Sequence, residues 1–209
     1  MLKTSERTQD KIEYQKRLLD SVSIGLRVAA PGIIQAVDYG KQTCTVQLAI
    51  RERLNFDGNL QWTEIPLLPD VPFFVYSGGG YCLTLPITVG DDCLVVFGDN
   101  CMDAWWQNGG VQNQIERRRH DLSDGFALVG FKSQPNVVSG FSGSSAQLRN
   151  ASGSACIEIS GDTINISAAN VNVNGKTVIS GGTTIDGKNF LGHMHKDVQS
   201  GSSDTGGVS

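Results

Sequence analysis

The chain has no run of about 18 apolar residues, the length a membrane-crossing helix requires. Its N-terminal stretch carries Lys3, Glu6, Arg7, Asp10, Lys11 and Glu13 where a secretory signal would need an apolar segment. The expectation is a chain made soluble and not exported by the general secretory route. Cysteine is scarce and unpaired in pattern: Cys44, Cys82, Cys93, Cys101 and Cys156 are an odd number without a CxxC spacing. A disulfide framework and a thiolate zinc site are therefore not indicated, and the five thiols are expected to be free and buried. Positive charge is also short, with 17 Lys and Arg against 21 Asp and Glu, a formal net charge of −4. Such a balance does not supply the field that phosphate backbones need, so general nucleic-acid binding is disfavoured.

The motifs of common enzyme chemistry are absent. There is no GxSxG elbow, no HExxH, no Walker loop and no GxGxxG between a strand and a helix. Carboxylates can be paired on paper, Glu52 with Asp57 or Asp91 with Asp92, but nothing sets their separation or raises one acid above the other. The chain is expected to be non-enzymatic.

What it does have is glycine, 25 residues among 209, with only 18% charged residues. That composition opposes a helix-dominated fold. One helix is expected, over 4–22 (TSERTQDKIEYQKRLLDSV), with Ser5 or Thr8 as its cap and Ile12, Leu18, Leu19 and Val22 as a thin apolar stripe. Such a helix needs another surface to be stable. From Gly25 to about Gly130 the segments LRVAAPGIIQAVDY, TCTVQLAIRERL, LQWTEIPLLPDVPFFVYSG, YCLTLPI and DDCLVVFGD read as short strands. Turn residues at 38–40, 57–59, 77–80 and 90–92 separate them. This count and spacing suit a small closed barrel of the OB type.

Composition shifts near residue 132. Of the 78 residues from Lys132 onward, 38 are Gly, Ser, Thr or Asn, and all three Trp lie upstream. Within this polar half, Ile157, Ile164, Val171, Val178 and Ile185 recur every seven residues, and Ile159, Ile166 and Val173 stand two places after the first three. A coiled coil would space its apolar pairs three and four apart; a spacing of two, among Asn, Gly, Ser and Thr, describes a short strand plus a turn. With two apolar side chains per unit, one chain cannot enclose a dry interior. Three chains wound about a common axis could put these eight residues inside, as an intertwined trimeric β-helix.

The repeat runs into Gly192-His193-Met194-His195. In an extended segment His193 and His195 face the same way, and three such pairs on an axis present six imidazole nitrogens, which suits an octahedral divalent transition metal better than tetrahedral zinc. Arg117-Arg118-Arg119-His120 with Asp121 reads as a solvated charged face, the alternative being a docking contact to an acidic partner. Trp105 and Trp106 read as core or subunit-interface residues.

With these residues in place the sequence resembles the membrane-puncturing central spike proteins of contractile-tailed bacteriophages and related injection systems. In the first module the resemblance rests on Arg27-Val28-Ala29-Ala30-Pro31-Gly32, Thr45-Val46-Gln47, Ile65-Pro66-Leu67-Leu68-Pro69-Asp70-Val71-Pro72, Leu85-Pro86, Gly90-Asp91, Phe97, and Arg118-Arg119-His120 with Asp124. At the end of the chain it rests on His193-Met194-His195 and Gly201-Ser202-Ser203-Asp204-Thr205-Gly206-Gly207. It implies an OB domain that joins the spike to the baseplate hub, and an apex where His193 and His195 of three chains hold one structural iron ion. It implies no lysozyme domain. Two departures stand out: five repeat units at ~4.8 Å per layer give a shaft of roughly 25 Å, short for the family, and the chain ends Gly207-Val208-Ser209 where the family's apex commonly carries a proline.

The combined expectation is an all-β homotrimer with a helical segment over 1–24, an OB-fold baseplate-docking domain over 25–131, a linker over 132–154, a β-helical shaft over 155–190 and a metal-capped apex over 191–209. Its partners would be the hub protein and, transiently, the host outer membrane; its place would be the virion tail tip, after assembly in the bacterial cytoplasm. A trimeric receptor-binding tail-fibre tip is the competing reading, but apart from Phe190 the distal segment lacks the exposed aromatics such a tip would use.

Overall fold

The computed structural model describes residues 4–190, excepting the side chains of 4–10, 23, 24 and 56. The chain divides into two compact units, Met1–Val138 and Ser139–Ser209. The first opens with helix α1 (Thr4–Gly25), longer than its expected span by one turn at the C-terminal end. Strands β1 (Ala29–Asp38), β2 (Thr43–Leu48), β3 (Glu52–Phe56), β4 (Asn59–Thr63), β5 (Leu68–Pro72), β6 (Tyr76–Gly78), β7 (Tyr81–Leu83) and β8 (Asp92–Phe97) follow. A short helix α2 (Asp103–Asn108) and strand β9 (Gly125–Val129) complete the unit. No helix among the described residues is long and apolar enough to cross a membrane.

Five strands form one antiparallel sheet in the order β5-β2-β1-β8-β9. Register shifts between Ile34 and Ala36, and between Cys44 and Val46, insert bulges that bend the sheet. The bend brings the two edge strands together: Phe73 bridges Ala127 in parallel, and the Phe74 amide donates to the Ala127 carbonyl at 2.8 Å. The sheet thus curls into an OB-like barrel whose edges meet, leaving no open β5 or β9 ladder at that point. Strand β9, which supplies this closure, has no counterpart among the strand segments read from the sequence.

Alternation builds the core. Ile34 of β1, Cys44, Val46 and Leu48 of β2, Cys93, Val95 and Phe97 of β8, and Ala127 of β9 point inward with Leu68 and Val71. Burial pushes the Cys44 thiol up to about 11 and the Cys93 thiol up to about 12, so neither is a thiolate at neutral pH. Cys101 is buried too, but Cys156 is only partly covered and Cys82 lies exposed on β7, contrary to the expectation that all five are buried.

The loop from Gly98 to Asp124 is held by one ion-pair network. Asp124 is fully buried. Its carboxylate accepts from the Met102 amide at 2.8 Å and from Arg118 Nε at 2.7 Å and Nη2 at 2.9 Å. Arg118 Nη2 also reaches Asp103 Oδ1 at 2.7 Å, which ties the first turn of α2 to the same guanidinium. Arg117 and Arg119 are exposed, as a solvated charged face requires, but the Arg118 side chain is only 18% exposed, so at that residue the expectation is corrected to a largely buried anchor. Sequence reading missed it because Asp124 and Asp103 meet Arg118 only through the loop's path. For the tryptophans the core half of the expectation is corrected: Trp105 is 46% and Trp106 39% exposed in the single chain, which leaves the subunit-interface alternative.

In the second unit, β10 (Ala146–Arg149), β11 (Cys156–Ser160) and β12 (Thr163–Ser167) form an antiparallel sheet, and β13 (Thr184–Ile185) pairs with β14 (Lys188–Asn189). The stretch 132–154, read as a linker, is ordered at both ends. Gln134–Asn136 is a short helical turn on the barrel unit, and β10 extends the second unit's sheet because Leu148 and Ala146 find apolar cross-strand neighbours in Ile157 and Ile159.

Gly32 is the tightest point of the barrel. A β-carbon there would stand 2.5 Å from Val46 Cγ1, 3.1 Å from Cys93 Sγ and 3.3 Å from Val95 Cγ2, all on buried residues. Gly32→Ala is expected to cost about 1–3 kcal/mol in urea unfolding through overpacking. Gly78→Ala, with nothing within 4 Å of the added carbon, should stay within about 0.5 kcal/mol of the parent; equal effects would show that the barrel relaxes around the added methyl.

Candidate functional site

The second unit carries a sheet with two unlike faces. Directly opposed residues share a face, so the register Leu148↔Ile157↔Ile166 and Ala146↔Ile159↔Ile164 collects six apolar side chains on one side. On the other side Gln147, Glu158 and Asn165 stand in one row and Arg149, Cys156 and Ser167 in the next. Hydrogen bonds lock the polar row. Glu158 Oε1 accepts from Ser145 Oγ at 2.6 Å and from Gln147 Nε2 at 2.7 Å, and these donors, Ser145 first, hold the Glu158 carboxyl below its usual range. Arg149 meanwhile donates to the Ser139 carbonyl.

The apolar side of this sheet has no cover among the described residues. Ile157, Ile159, Ile164 and Ile166 are 45–66% exposed, and Leu148 is 51% exposed. The seven-residue period has a local cause: a five-residue strand plus the two-residue turn Gly161-Asp162, with Gly161 in the left-handed region at φ 54°. The first two repeat units therefore pair as a hairpin in one chain. From Ser167 to Thr184 no strand is formed among the described residues, and Val171, Val173 and Val178 stand exposed along it. The unit starting at Ile185 closes a second hairpin, whose turn residues Asp186 and Gly187 both have positive φ. His193 and His195, and with them the whole apex span 191–209, lie outside the described residues.

On the barrel unit, the exit of β9 is pinned by acid groups at the start of β8. Asp92 Oδ2 accepts from the Ser133 amide at 2.9 Å, the Ser133 hydroxyl at 2.7 Å and Asn136 Nδ2 at 3.0 Å, while Lys132 Nζ sits 3.2 Å from Asp91 Oδ1. Cys101, Asp103 and Asp124 bring ligand-type atoms within 4.8 Å of one another, but the Arg118 guanidinium bonds both carboxylates, so the group is an ion-pair network and not a cation site. His120, beside it, places Nε2 3.3 Å from Asp99 Oδ1, and its Nδ1 is buried with no hydrogen-bond partner.

Residues 30–130 match the family of the phage protein Gp138 N-terminal domain. The match supports a phage structural or tail protein, a component of the virion. Its limits coincide with the barrel, from Ala30 in β1 to Gly130 just past β9. Helix α1 and the second unit lie outside it. No curated protein matches the chain.

Several residues quoted for the spike resemblance fall on joints of this matched barrel. Pro31-Gly32 occupies the crowded centre of β1, Gly90 takes φ 94° in the turn before β8, and Arg118 meets Asp124. In the sequence Asp92 reads only as a carboxylate that could be paired with Asp91, not as an anchor, because an acid followed some forty positions later by Ser and Asn leaves no local pattern.

The anchor is acid-sensitive in a defined sense. The Ser133 amide first, then Asn136 and the Ser133 hydroxyl, push the Asp92 carboxyl down to about 2. A folded value below the unfolded one, about 3.9, means that the anchor contributes fully above about pH 4 and is lost as pH falls through about 2. Amide exchange at Ser133 is expected to be slow at pH 5 and to approach that of Asp92→Ala near pH 2; an Asp92→Ala protein with unchanged Ser133 protection at pH 5 would contradict the anchor.

Proposed function

We propose that this chain is the central spike of a contractile phage tail, a homotrimeric and non-enzymatic piece that pierces the host outer membrane when the sheath contracts. The observation that carries this reading is the succession along one chain of a phage-family barrel and a seven-residue repeat whose apolar face is bare in the single chain. A barrel that closes its own core can serve as the mount on the baseplate hub. A repeat that cannot close its own core calls for copies of itself, and three copies would turn eight exposed Ile and Val positions into a shared interior. A shaft held this way has few free strand edges and resists bending, which is what transmitting a contractile stroke to a narrow area demands.

The apex belongs to the same proposal. His193 and His195 from three chains would offer six neutral imidazoles, a donor set that fits a six-coordinate divalent transition metal, with iron first by availability. A saturated shell leaves no position for substrate, so the metal would act as a cross-link between chains.

Two outcomes test the assembly. Ile164→Asp should abolish assembly of the second unit, read as lost amide-exchange protection over 156–167, because it would set three carboxylates around one axis without partners; a monomeric parent protein in sedimentation would end the proposal. Elemental analysis of protein purified without a metal-affinity column should give one iron for three chains, and His195→Ala should lose it while the barrel keeps its β spectrum; a ratio near one metal for each chain would remove the shared site.

A further inference from the structure

Two apolar surfaces on the first unit are left uncovered by their own chain. One is the stripe of α1: Ile12, Leu18, Leu19 and Val22 fall within about a third of the helix circumference and are 51–66% exposed. Every described side chain from 11 to 22 is in fact exposed, so over that span the helix finds no covering surface among the described residues. The other is a groove of about 550 Å³ at the barrel's closing seam, walled by Phe73, Phe74, Val96, Trp105, Trp106 and Phe126. The Trp105 ring lies 5.9 Å from that of Phe126, tilted by 58°, and Phe74 meets Tyr76 edge-on at 4.9 Å, so the aromatic walls are braced from within the unit. α2, which carries both tryptophans, is tied down by the Asp103–Arg118 pair.

The two surfaces suit one another. None of the twelve residues lining the groove is charged. Glu13, Arg17 and Asp20 lie on the side of α1 away from the stripe, and Glu13 is already paired with Arg17 at 2.6 Å; Lys11 and Gln15 fall within the stripe's arc, so the uninterrupted apolar part is the C-terminal Leu18, Leu19 and Val22. The position of the helix root matters as well. α1 ends at Gly25 and β1 starts at Ala29, which pairs with Val96; Val96 in turn pairs with Phe126. Two strand spacings of ~4.8 Å separate β1 from β9, so each helix is rooted about 10 Å from its own groove, yet the chain leaves the two unjoined. A helix of 22 residues is about 33 Å long and extends well past that distance.

We infer that α1 of one copy lies, stripe inward, in the aromatic groove of the next copy. This is an exchange of helical arms between barrels, a head-to-tail contact that closes into a ring when the copies number three. It rests on the trimer proposed above, but it assigns to the barrel end an interface independent of the isoleucine face. The groove also supplies the second surface that an exposed 22-residue helix with so thin a stripe requires.

The test uses the full chain with the photoreactive residue p-benzoylphenylalanine in place of Leu19, assembled from a mixture of isotopically light and heavy chains. After irradiation, the expected product is a two-chain adduct joining α1 to a peptide containing Trp105-Trp106 or Phe73-Phe74, with mixed light–heavy pairs. An adduct confined to one chain, an α1-to-α1 adduct, or one at any other segment overturns the inference while leaving a sedimenting trimer untouched. A monomer in sedimentation overturns both the inference and the trimer. As a check free of the photoreactive group, Leu19→Asp should speed amide exchange over α1 by about tenfold or more, and Arg17→Ala on the opposite side should not; equal exchange in both variants also counts against docking.

Discussion

Everything distinctive about the second unit follows from a shortage of apolar surface. Each seven-residue unit brings at most two Ile or Val side chains, and the strands on which they stand are only five residues long. Ordering a residue's backbone costs about 1–2 kcal/mol, and one half-exposed isoleucine on each turn of the chain cannot offset that alone. The register Ile157↔Ile166 and Ile159↔Ile164 concentrates the little there is on one face. That face then becomes the dominant feature of this sheet, while on the side behind it the Glu158 carboxylate already accepts from Ser145 and Gln147.

The barrel solves the opposite problem. Its strands are rich enough in Ile, Val, Leu and Phe to bury a core, and bulges in β1 and β5 bend the sheet until its edges meet at Phe73 and Ala127. The loop that crosses from β8 to β9 makes hydrophobic contact through Cys101, Trp105 and Leu122, but Gly98, Asp99, Asn100 and the run of arginines offer none. A single buried carboxylate, Asp124, organises it by accepting from Arg118 and from the Met102 amide. The loop in turn presents α2 and its tryptophans. One desolvated ion pair inside therefore determines what the barrel displays outside.

What could be read from the sequence follows the range of the interactions involved. The strand alternation of β1, β2 and β8 and the period of seven are local patterns, and they were legible because burial on one side writes itself into every second residue. Strand β9 was not, since GFALV is short and follows a helical turn at Leu122–Asp124. Arg118 was taken for a surface charge because its partners lie six and fifteen positions away along an irregular path. The span 132–154 looked like a linker for its serine and glycine, yet Ala146 and Leu148 are the two apolar residues that β11 needs beside it. The isoleucine face itself could be inferred only in part: spacing showed which residues belong together, while the hairpin showed that two successive units pair within one chain.

The hairpin between β11 and β12 has a consequence for how such a module can change in length. Five strand residues and two turn residues return the chain antiparallel to itself with Ile157, Ile159, Ile164 and Ile166 still on the same side. A further unit of seven keeps the apolar side but reverses the running direction, and a second restores it. Growth by duplication is thus neutral to both side and direction only in steps of fourteen residues. Loss or gain of a single residue within a strand would turn every later isoleucine to the polar side, because side chains alternate with a period of two. The module is in this respect a ruler with fixed graduations, and its length can drift among descendants of one gene only by whole marks.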